Sequence, residues 1–181
     1  AHKLVEFAKL VVGRVPGSLS HTNIVGNALF GSISSSAIAA STAIGGVMVP
    51  LQKKEGYDNR FAAAVNIASA PSGMVIPPST AFIIFSLISG GTSIAALFMS
   101  GYVIGILWVL TIIIVAFIIA RKRNYPIVKK EERASIDKKK VILDAIPSLL
   151  LIFIIIGGIL TGVFTAIEAS AICVVYALFL A

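Results

Sequence analysis

The chain has 181 residues, of which 57% are hydrophobic and 13% charged, and its mean hydropathy is +0.99. This composition excludes an ordinary soluble domain and is typical of a membrane protein with several spans. The net charge of +7 does not indicate nucleic-acid binding, because nine basic and three acidic residues within 121–140 supply +6 of it. A short basic loop between apolar segments is instead an orientation signal, which places 121–140 in the cytoplasm.

Residues 1–23 read as a connecting segment that contains an amphipathic helix. Charged and apolar residues alternate with helical spacing over residues 2–12, which predicts a helix that lies at the membrane surface or flanks a domain. Glycine and proline within 13–17 end this helix. The polar side chains of residues 20–23 are expected to cap the next one.

Residues 24–51 form an apolar stretch whose centre, Gly31 to Gly45, consists largely of small and hydroxyl residues. The stretch is long for one span and its centre is weak in helix propensity. It therefore predicts a re-entrant hairpin of two short helices that meet at a turn at Ser34–Ser36, with the second helix beginning near Ala37. A simple contact of small residues between two helices is the alternative interpretation.

Residues 61–88 predict a transmembrane helix that is broken in the middle. Pro71, Gly73, Pro77 and Pro78 remove amide donors and disfavour helix, so the helix should stop near Ala70 and resume near residue 79. An apolar segment interrupted in this way is typical of a transporter binding site. A kinked but continuous helix is the alternative.

The rest of the chain predicts two further membrane segments. Residues 94–120 carry no charge and are long enough to span, with Trp108 facing lipid or a neighbouring helix. After the basic loop 121–140, residues 141–181 begin with an apolar helix. Thr165 and Glu168 then match a capping box, with a buried ion ligand as the alternative role for Glu168. We expect the sequence to be part of a longer protein.

Five stretches in chain order resemble the large membrane subunit of tripartite ATP-independent periplasmic (TRAP) transporters. They cover most of the chain and lie at 13–23, 29–39, 53–58, 75–79 and 158–171. The sequence departs from the family pattern at three positions. The family often has glycine at Ser35, aspartate at Ala40 and proline at Ala166. The missing acid at Ala40 argues against carboxylate-based coupling at that point.

The resemblance implies an all-α polytopic membrane protein, an elevator-type secondary transporter with inverted repeats, a re-entrant hairpin and broken helices. It implies residence in the bacterial inner membrane and Na⁺-driven import of an organic anion, a sugar acid such as sialic acid or a C4-dicarboxylate. A periplasmic substrate-binding protein would deliver the anion, and a small membrane (Q) subunit, separate or fused, would be a partner. Residues 141–181 would begin the second repeat, and half of the transport site would lie beyond Ala181.

The resemblance also implies site residues in the first repeat. The implied Na⁺ ligands are Ser34, Ser36, Ser69 and Gly73. The implied substrate contacts are Ser35, Ser36, Ser72, Gly73 and Ser79.

Three other functions remain open on the residues alone. They are an intramembrane serine protease that pairs Ser34–Ser36 with His21, a structural membrane subunit, and a Na⁺-coupled elevator-type transporter that works without a binding protein. The first is disfavoured by the lack of a Gly-x-Ser-x-Gly frame around the serines. The second is disfavoured because breaks in membrane helices are costly unless they bind something.

Overall fold

The computed structural model describes residues 2–12, 15–127 and 138–180, and all the regular structure in these ranges is helical. The helices are α1 His2–Val12, α2 Ser18–Ser34, α3 Ala37–Lys54, α4 Asn59–Ser69, α5 Ser72–Val75, α6 Thr80–Ile88, α7 Ile94–Lys122, α8 Lys138–Leu160 and α9 Ala166–Leu180. The predicted all-α class is confirmed. The start of the first motif, residues 13–14, and most of the predicted cytoplasmic loop, residues 128–137, lie outside the described residues.

Two of the described helices, α7 and α8, are long and apolar enough to cross a membrane. The segment Asn59–Val75 and helix α6 meet the same criterion together, as one broken span whose parts are bent by 48°. Large apolar side chains along α7, among them Val103, Ile104 and Leu107, are more than half exposed. A surface of this kind is solvated by a bilayer and not by water.

The hairpin predicted within 24–51 is formed by α2 and α3. Ser35 follows α2 with a φ of 50°, and its amide donates to the Gly31 carbonyl oxygen. Ser36 is extended, and its hydroxyl accepts a hydrogen bond from the Ala39 amide, which caps α3. The predicted turn and the predicted start at Ala37 are therefore confirmed.

The predicted limits of the hairpin were too narrow. Helix α2 begins at Ser18, inside the segment 1–23 that we assigned to the connection, and α3 continues to Lys54. Residues 20–23 lie within α2 and do not cap it. Among them, the buried Thr22 hydroxyl is satisfied inside the helix, because it donates to the Ser18 carbonyl at 2.9 Å.

The main core lies between α1, α2, α3, α4 and α7. Its buried members are Val5, Leu19, Ile24, Ile44, Met48, Tyr57, Phe61, Val65 and Ala116. Leu4, Val5 and Ala8 of α1 are also buried, so the apolar face of α1 is covered by protein. Of the two placements predicted for this helix, the structure has the one in which it flanks a domain.

An aromatic cluster packs at one end of the core, where α7 ends beside the turn between α3 and α4. The rings of Tyr57 and Tyr125 stack with centroids 4.4 Å apart, and Phe61 lies 5.3 Å from Tyr125. Burial raises the pKa of Tyr57 to about 12. The Asp58 carboxylate accepts from the Phe61 amide at 2.9 Å and so caps α4. This cluster fixes the carboxyl end of α7 against the turn between α3 and α4.

Candidate functional site

The two helix breaks meet in space. The Ser35 hydroxyl, at the hairpin tip, donates to the Pro78 carbonyl oxygen at 2.8 Å. Helix α3 begins two residues after Ser35, at Ala37, and α6 begins two residues after Pro78, at Thr80. Two helix amino termini therefore start beside the same hydrogen bond. Each carries a partial positive charge and amide donors that have no partner within the helix.

The main chains of the two breaks are in direct contact one helical turn below this bond. A Cβ atom on Gly31 would lie 2.6 Å from the Gly73 Cα, and a Cβ on Gly73 would lie 2.2 Å from the Gly31 Cα. Only glycine allows so close an approach. Gly73 was a predicted site residue, whereas the sequence analysis did not assign any role to Gly31.

Helix α7 supplies hydrogen-bond donors to carbonyl groups that the break leaves without helical partners. The Trp108 indole nitrogen donates to the Ala68 carbonyl oxygen at 3.0 Å, and the Tyr102 hydroxyl donates to the Pro77 carbonyl oxygen at 3.3 Å. Unpaired carbonyls are costly in an apolar medium. Side chains of another helix therefore satisfy the main-chain carbonyls that the interruption leaves unpaired. The helix is interrupted at this point, and the alternative of a kinked but continuous helix is excluded.

The predicted Na⁺ ligands separate into two places. The Ser34 hydroxyl oxygen lies 3.4 Å from both the backbone nitrogen and the backbone oxygen of Ser36, so these two residues share the tip. Ser69 is fully buried; its hydroxyl donates to the Val65 carbonyl at 2.7 Å and accepts from the Asn27 amide at 2.8 Å. These bonds direct Ser69 toward α2 and its own helix and not toward the tip.

The predicted substrate contacts Ser72 and Ser79 have hydroxyl groups that bond to nearby main chain. Ser72 donates to the Ser69 carbonyl and Ser79 to the Met74 carbonyl, each at 2.6 Å. The Ser79 side chain makes no capping hydrogen bond to the amino terminus of α6, and Thr80 at its start is exposed. The donors that this region offers to an anion are therefore the first backbone amides of α6, because the hydroxyl hydrogens of Ser72 and Ser79 are already donated to main-chain carbonyls.

A cavity of about 430 Å³ lies between the broken helix and α8. Apolar side chains of α8, among them Ile152 and Phe153, form one wall. Two polar side chains line it, Ser32 and Tyr102, and both hydroxyls already donate to main-chain carbonyls. The cavity is therefore apolar in character and does not suit an acidic solute.

Two alternatives raised by the sequence can be decided from geometry. His21 and Ser34 belong to the same helix, and thirteen residues separate them by about 20 Å, which excludes a serine–histidine pair. The Glu168 carboxylate accepts from both the amide and the hydroxyl of Thr165 at 2.8 Å. This is the predicted capping box, and these bonds lower the pKa of Glu168.

Sequence reasoning missed the buried amide side chains beneath the breaks. Asn27 and Asn66 join α2 to α4 through a 3.0 Å hydrogen bond between their side chains. The available signal was the amide side chain of Asn27 within the otherwise apolar residues 24–30. Its role could be recognised only from its contact with Asn66, which is 39 residues away in the chain.

Comparison with known proteins identifies the family. The family model described as "Tripartite ATP-independent periplasmic transporter, DctM component" matches residues 1–181. The chain is 55% identical over 182 residues to the uncharacterized protein YgiK of Salmonella typhimurium, covering all of this chain and 41% of that protein.

Two relatives from Vibrio cholerae have named substrates. The sialic acid TRAP transporter large permease protein SiaM is 37% identical over 178 residues, which are 98% of this chain and 41% of that protein. The C4-dicarboxylate TRAP transporter large permease protein DctM is 35% identical over 181 residues, which are 100% and 39%. The chain thus spans about two fifths of the length of these relatives. It is a multi-pass membrane protein and belongs to the DctM family, the large permease component of TRAP transporters.

Proposed function

We propose that this chain forms the first-repeat transport region of a Na⁺-coupled importer of organic anions in the bacterial inner membrane. The cargo is a sugar acid such as sialic acid, or a C4-dicarboxylate. A periplasmic substrate-binding protein delivers it, and a small membrane subunit completes the complex. The observation that carries the proposal is the contact between two helix breaks, at Ser35 and Pro78, in a chain of this family.

The cation is assigned to the hairpin tip, with Ser34 and Ser36 as candidate ligands, and with Gly73, which meets α2 one turn below at Gly31, as a further candidate. Hydroxyl and main-chain oxygens are the donors that a hard cation such as Na⁺ prefers. Ala40 is fully buried and has no oxygen on its side chain, so no carboxylate acts at that position. Coupling at the tip therefore relies on neutral oxygens. Ser69 is a weaker candidate than the other three, because its hydroxyl is engaged with Val65 and Asn27.

The anion is assigned to the adjoining amino termini of α3 and α6, beside Ser35, Ser36, Ser72, Gly73 and Ser79. A carboxylate placed there would accept hydrogen bonds from backbone amides and gain from both helix dipoles. A cation at the tip would fix the same geometry, so each ligand favours binding of the other.

An elevator mechanism with inverted repeats is part of the proposal. The second repeat would begin within 141–181, and its hairpin would supply the facing half of the site. An uncoupled structural subunit is disfavoured because Tyr102, Trp108 and Ser35 are all used to stabilise an interruption that a scaffold would not need.

The test is uptake by proteoliposomes that contain the full-length large subunit and its small subunit. Radiolabelled sialic acid, succinate and a neutral sugar are offered with the matching binding protein, in an inward Na⁺ or choline gradient. We expect uptake of one acid only, at least tenfold faster with Na⁺ and dependent on the binding protein. Equal uptake in choline would refute the coupling, and uptake without the binding protein would indicate the transporter class that works alone.

A further inference from the structure

Asn27 sits at the centre of a buried network that joins three helices. It is fully buried in α2, and its side-chain nitrogen lies near four oxygen atoms. The distances are 2.8 Å to Ser69 Oγ, 2.9 Å to Asn23 Oδ1, 3.0 Å to Asn66 Oδ1 and 3.2 Å to the Asn66 carbonyl oxygen. An amide group carries two hydrogens, so the four acceptors compete for them.

The acceptors are themselves held in place. The Asn66 side-chain nitrogen donates to the Ser41 carbonyl of α3 at 3.0 Å, which turns its oxygen toward Asn27. The Ser69 hydroxyl donates to the Val65 carbonyl, which leaves its lone pairs for Asn27. The network therefore connects α3 to α4 through Asn66, and α4 to α2 through Asn27. The side-chain nitrogen of Asn27 supplies the donor on which the link between α2 and α4 depends.

Asn27 occupies a particular place on α2. Asn27 and Gly31 are four residues apart and therefore lie on one face of α2, and Ser35 follows four residues later, directly after the helix ends. Each contacts the broken helix: Asn27 at Ser69, Gly31 at Gly73, and Ser35 at Pro78. The amide network is thus the lowest of three successive contacts between the hairpin and the broken helix, two helical turns below the tip.

We infer that Asn27 is a positioning residue that fixes how the hairpin and the broken helix are aligned, and so sets the cation affinity of the tip. The inference rests on the proposed function. Asn27 is buried two turns from Ser34 and Ser36, so it acts on the cation through the alignment and not by contact. If the aligned state is populated one tenth of the time, the apparent affinity falls tenfold.

The primary variant is Asn27→Leu, which keeps the approximate size and removes both donated hydrogens. It is measured in the full-length transporter in proteoliposomes. We expect the Na⁺ concentration for half-maximal uptake to rise about tenfold, while the rate at saturating Na⁺ stays within about threefold of wild type. A purely structural role would reduce the rate through loss of folded protein and leave the half-saturating Na⁺ concentration unchanged, and this result would overturn the inference.

The matched control is Thr22→Val. Thr22 is also fully buried in α2, but its hydroxyl donates to the Ser18 carbonyl of the same helix at 2.9 Å and does not belong to the Asn27 network. Its variant should stay within about twofold of wild type in half-saturating Na⁺. An equal effect of both variants would overturn the specific role of Asn27. If Asn27→Leu does not fold, Asn27→Ser is used instead, because it leaves room for a water molecule. The half-saturating Na⁺ concentration of this variant is expected to rise about threefold or more.

A structural readout separates failure of this inference from failure of the proposed function. Spin labels replace Ile38 of α3 and Ile67 of α4, both exposed, in a variant that lacks Cys173, and electron paramagnetic resonance gives their distance distribution. Asn27→Leu should broaden the distribution, and saturating Na⁺ should narrow it again. Wild-type uptake independent of Na⁺ would refute the proposed function, whereas an unchanged distribution in Asn27→Leu would overturn the inference alone.

Discussion

The hydroxyl of Ser35 donates a 2.8 Å hydrogen bond to the carbonyl oxygen of Pro78, and this bond joins two helix interruptions that are 43 residues apart in the chain. Neither partner belongs to a helix. Ser35 has a φ of 50°, in the left-handed region that favours glycine. The bond therefore holds the tip in a conformation that the residue alone would not prefer.

Two replacements of Ser35 should distinguish the contribution of its hydrogen bond to stability from the cost of its backbone conformation. Ser35→Ala loses the donor and keeps the unfavourable φ, whereas Ser35→Gly loses the donor but relieves the strain. We expect stability to follow Ser ≥ Gly > Ala, with Ala lower than wild type by about 1–2 kcal/mol. Thermal unfolding in detergent measures this order. Ser41→Ala is the control, since its exposed hydroxyl bonds only within α3, and an Ala variant more stable than Gly would contradict the assignment.

The contact between Gly31 and Gly73 predicts a strong effect of a single methyl group. Gly31→Ala would place its Cβ 2.6 Å from the Gly73 Cα, which forces the two main chains apart. We expect a loss of about 1–3 kcal/mol and a large decrease in uptake. Gly46→Ala is the matched control, because a Cβ there meets no atom within 4 Å and alanine favours helix. A Gly31→Ala protein as stable and active as Gly46→Ala would show that the approach is not close.

The donors from α7 predict that this span stabilises the break. Trp108→Phe keeps an aromatic ring and removes the donor to the Ala68 carbonyl, at a cost of about 1–2 kcal/mol. Hydrogen exchange of the amides within 70–76 should become faster in this variant. Thr111→Val should leave it unchanged, since that hydroxyl bonds within α7 to Leu107. Unchanged exchange in Trp108→Phe would mean that the bond contributes little.

The capping box of Thr165 and Glu168 predicts a dependence on pH at the start of α9. Hydrogen bonds from Thr165 lower the pKa of Glu168 below its ordinary value of 4.5. A lowered pKa in the folded state means that the carboxylate stabilises the cap above pH 4.5, and that this contribution is lost as the pH falls through the folded-state pKa. Protection of the Thr165 amide from hydrogen exchange should fall correspondingly. In Glu168→Gln the protection should not change with pH over this range, and parallel loss in both proteins would contradict the role of Glu168.

The positions of both breaks could be predicted because their causes are local. The Pro77–Pro78 pair excludes helix from the residues that precede it, although a short helix, α5, does form inside the predicted break at Ser72–Val75. The serine run at the tip is weak in helix propensity. The limits of the hairpin could not be predicted in the same way. Five of the six residues in 18–23 are polar, and only their burial against other helices explains why they continue α2.

The roles of individual site residues were less accessible, because they depend on distant partners. Ser69 was expected to bind Na⁺, yet its hydroxyl bonds to Asn27, which is 42 residues away. Trp108 was expected to face lipid or a neighbour; it does contact a neighbour, but the specific acceptor lies 40 residues earlier. Helix α7 is apolar over most of its length, so its sequence carries no clear periodic signal that marks the face toward the break.

If the proposed function holds, the glycine pair at 31 and 73 limits how the cargo preference can be re-engineered. At that crossing no side chain separates the two backbones, so a randomised library has no permitted alternative there and would mostly return inactive clones. Diversification is better directed to the flanking positions 32 and 74, where side chains exist. Directed evolution toward a new acid should therefore hold both glycines constant.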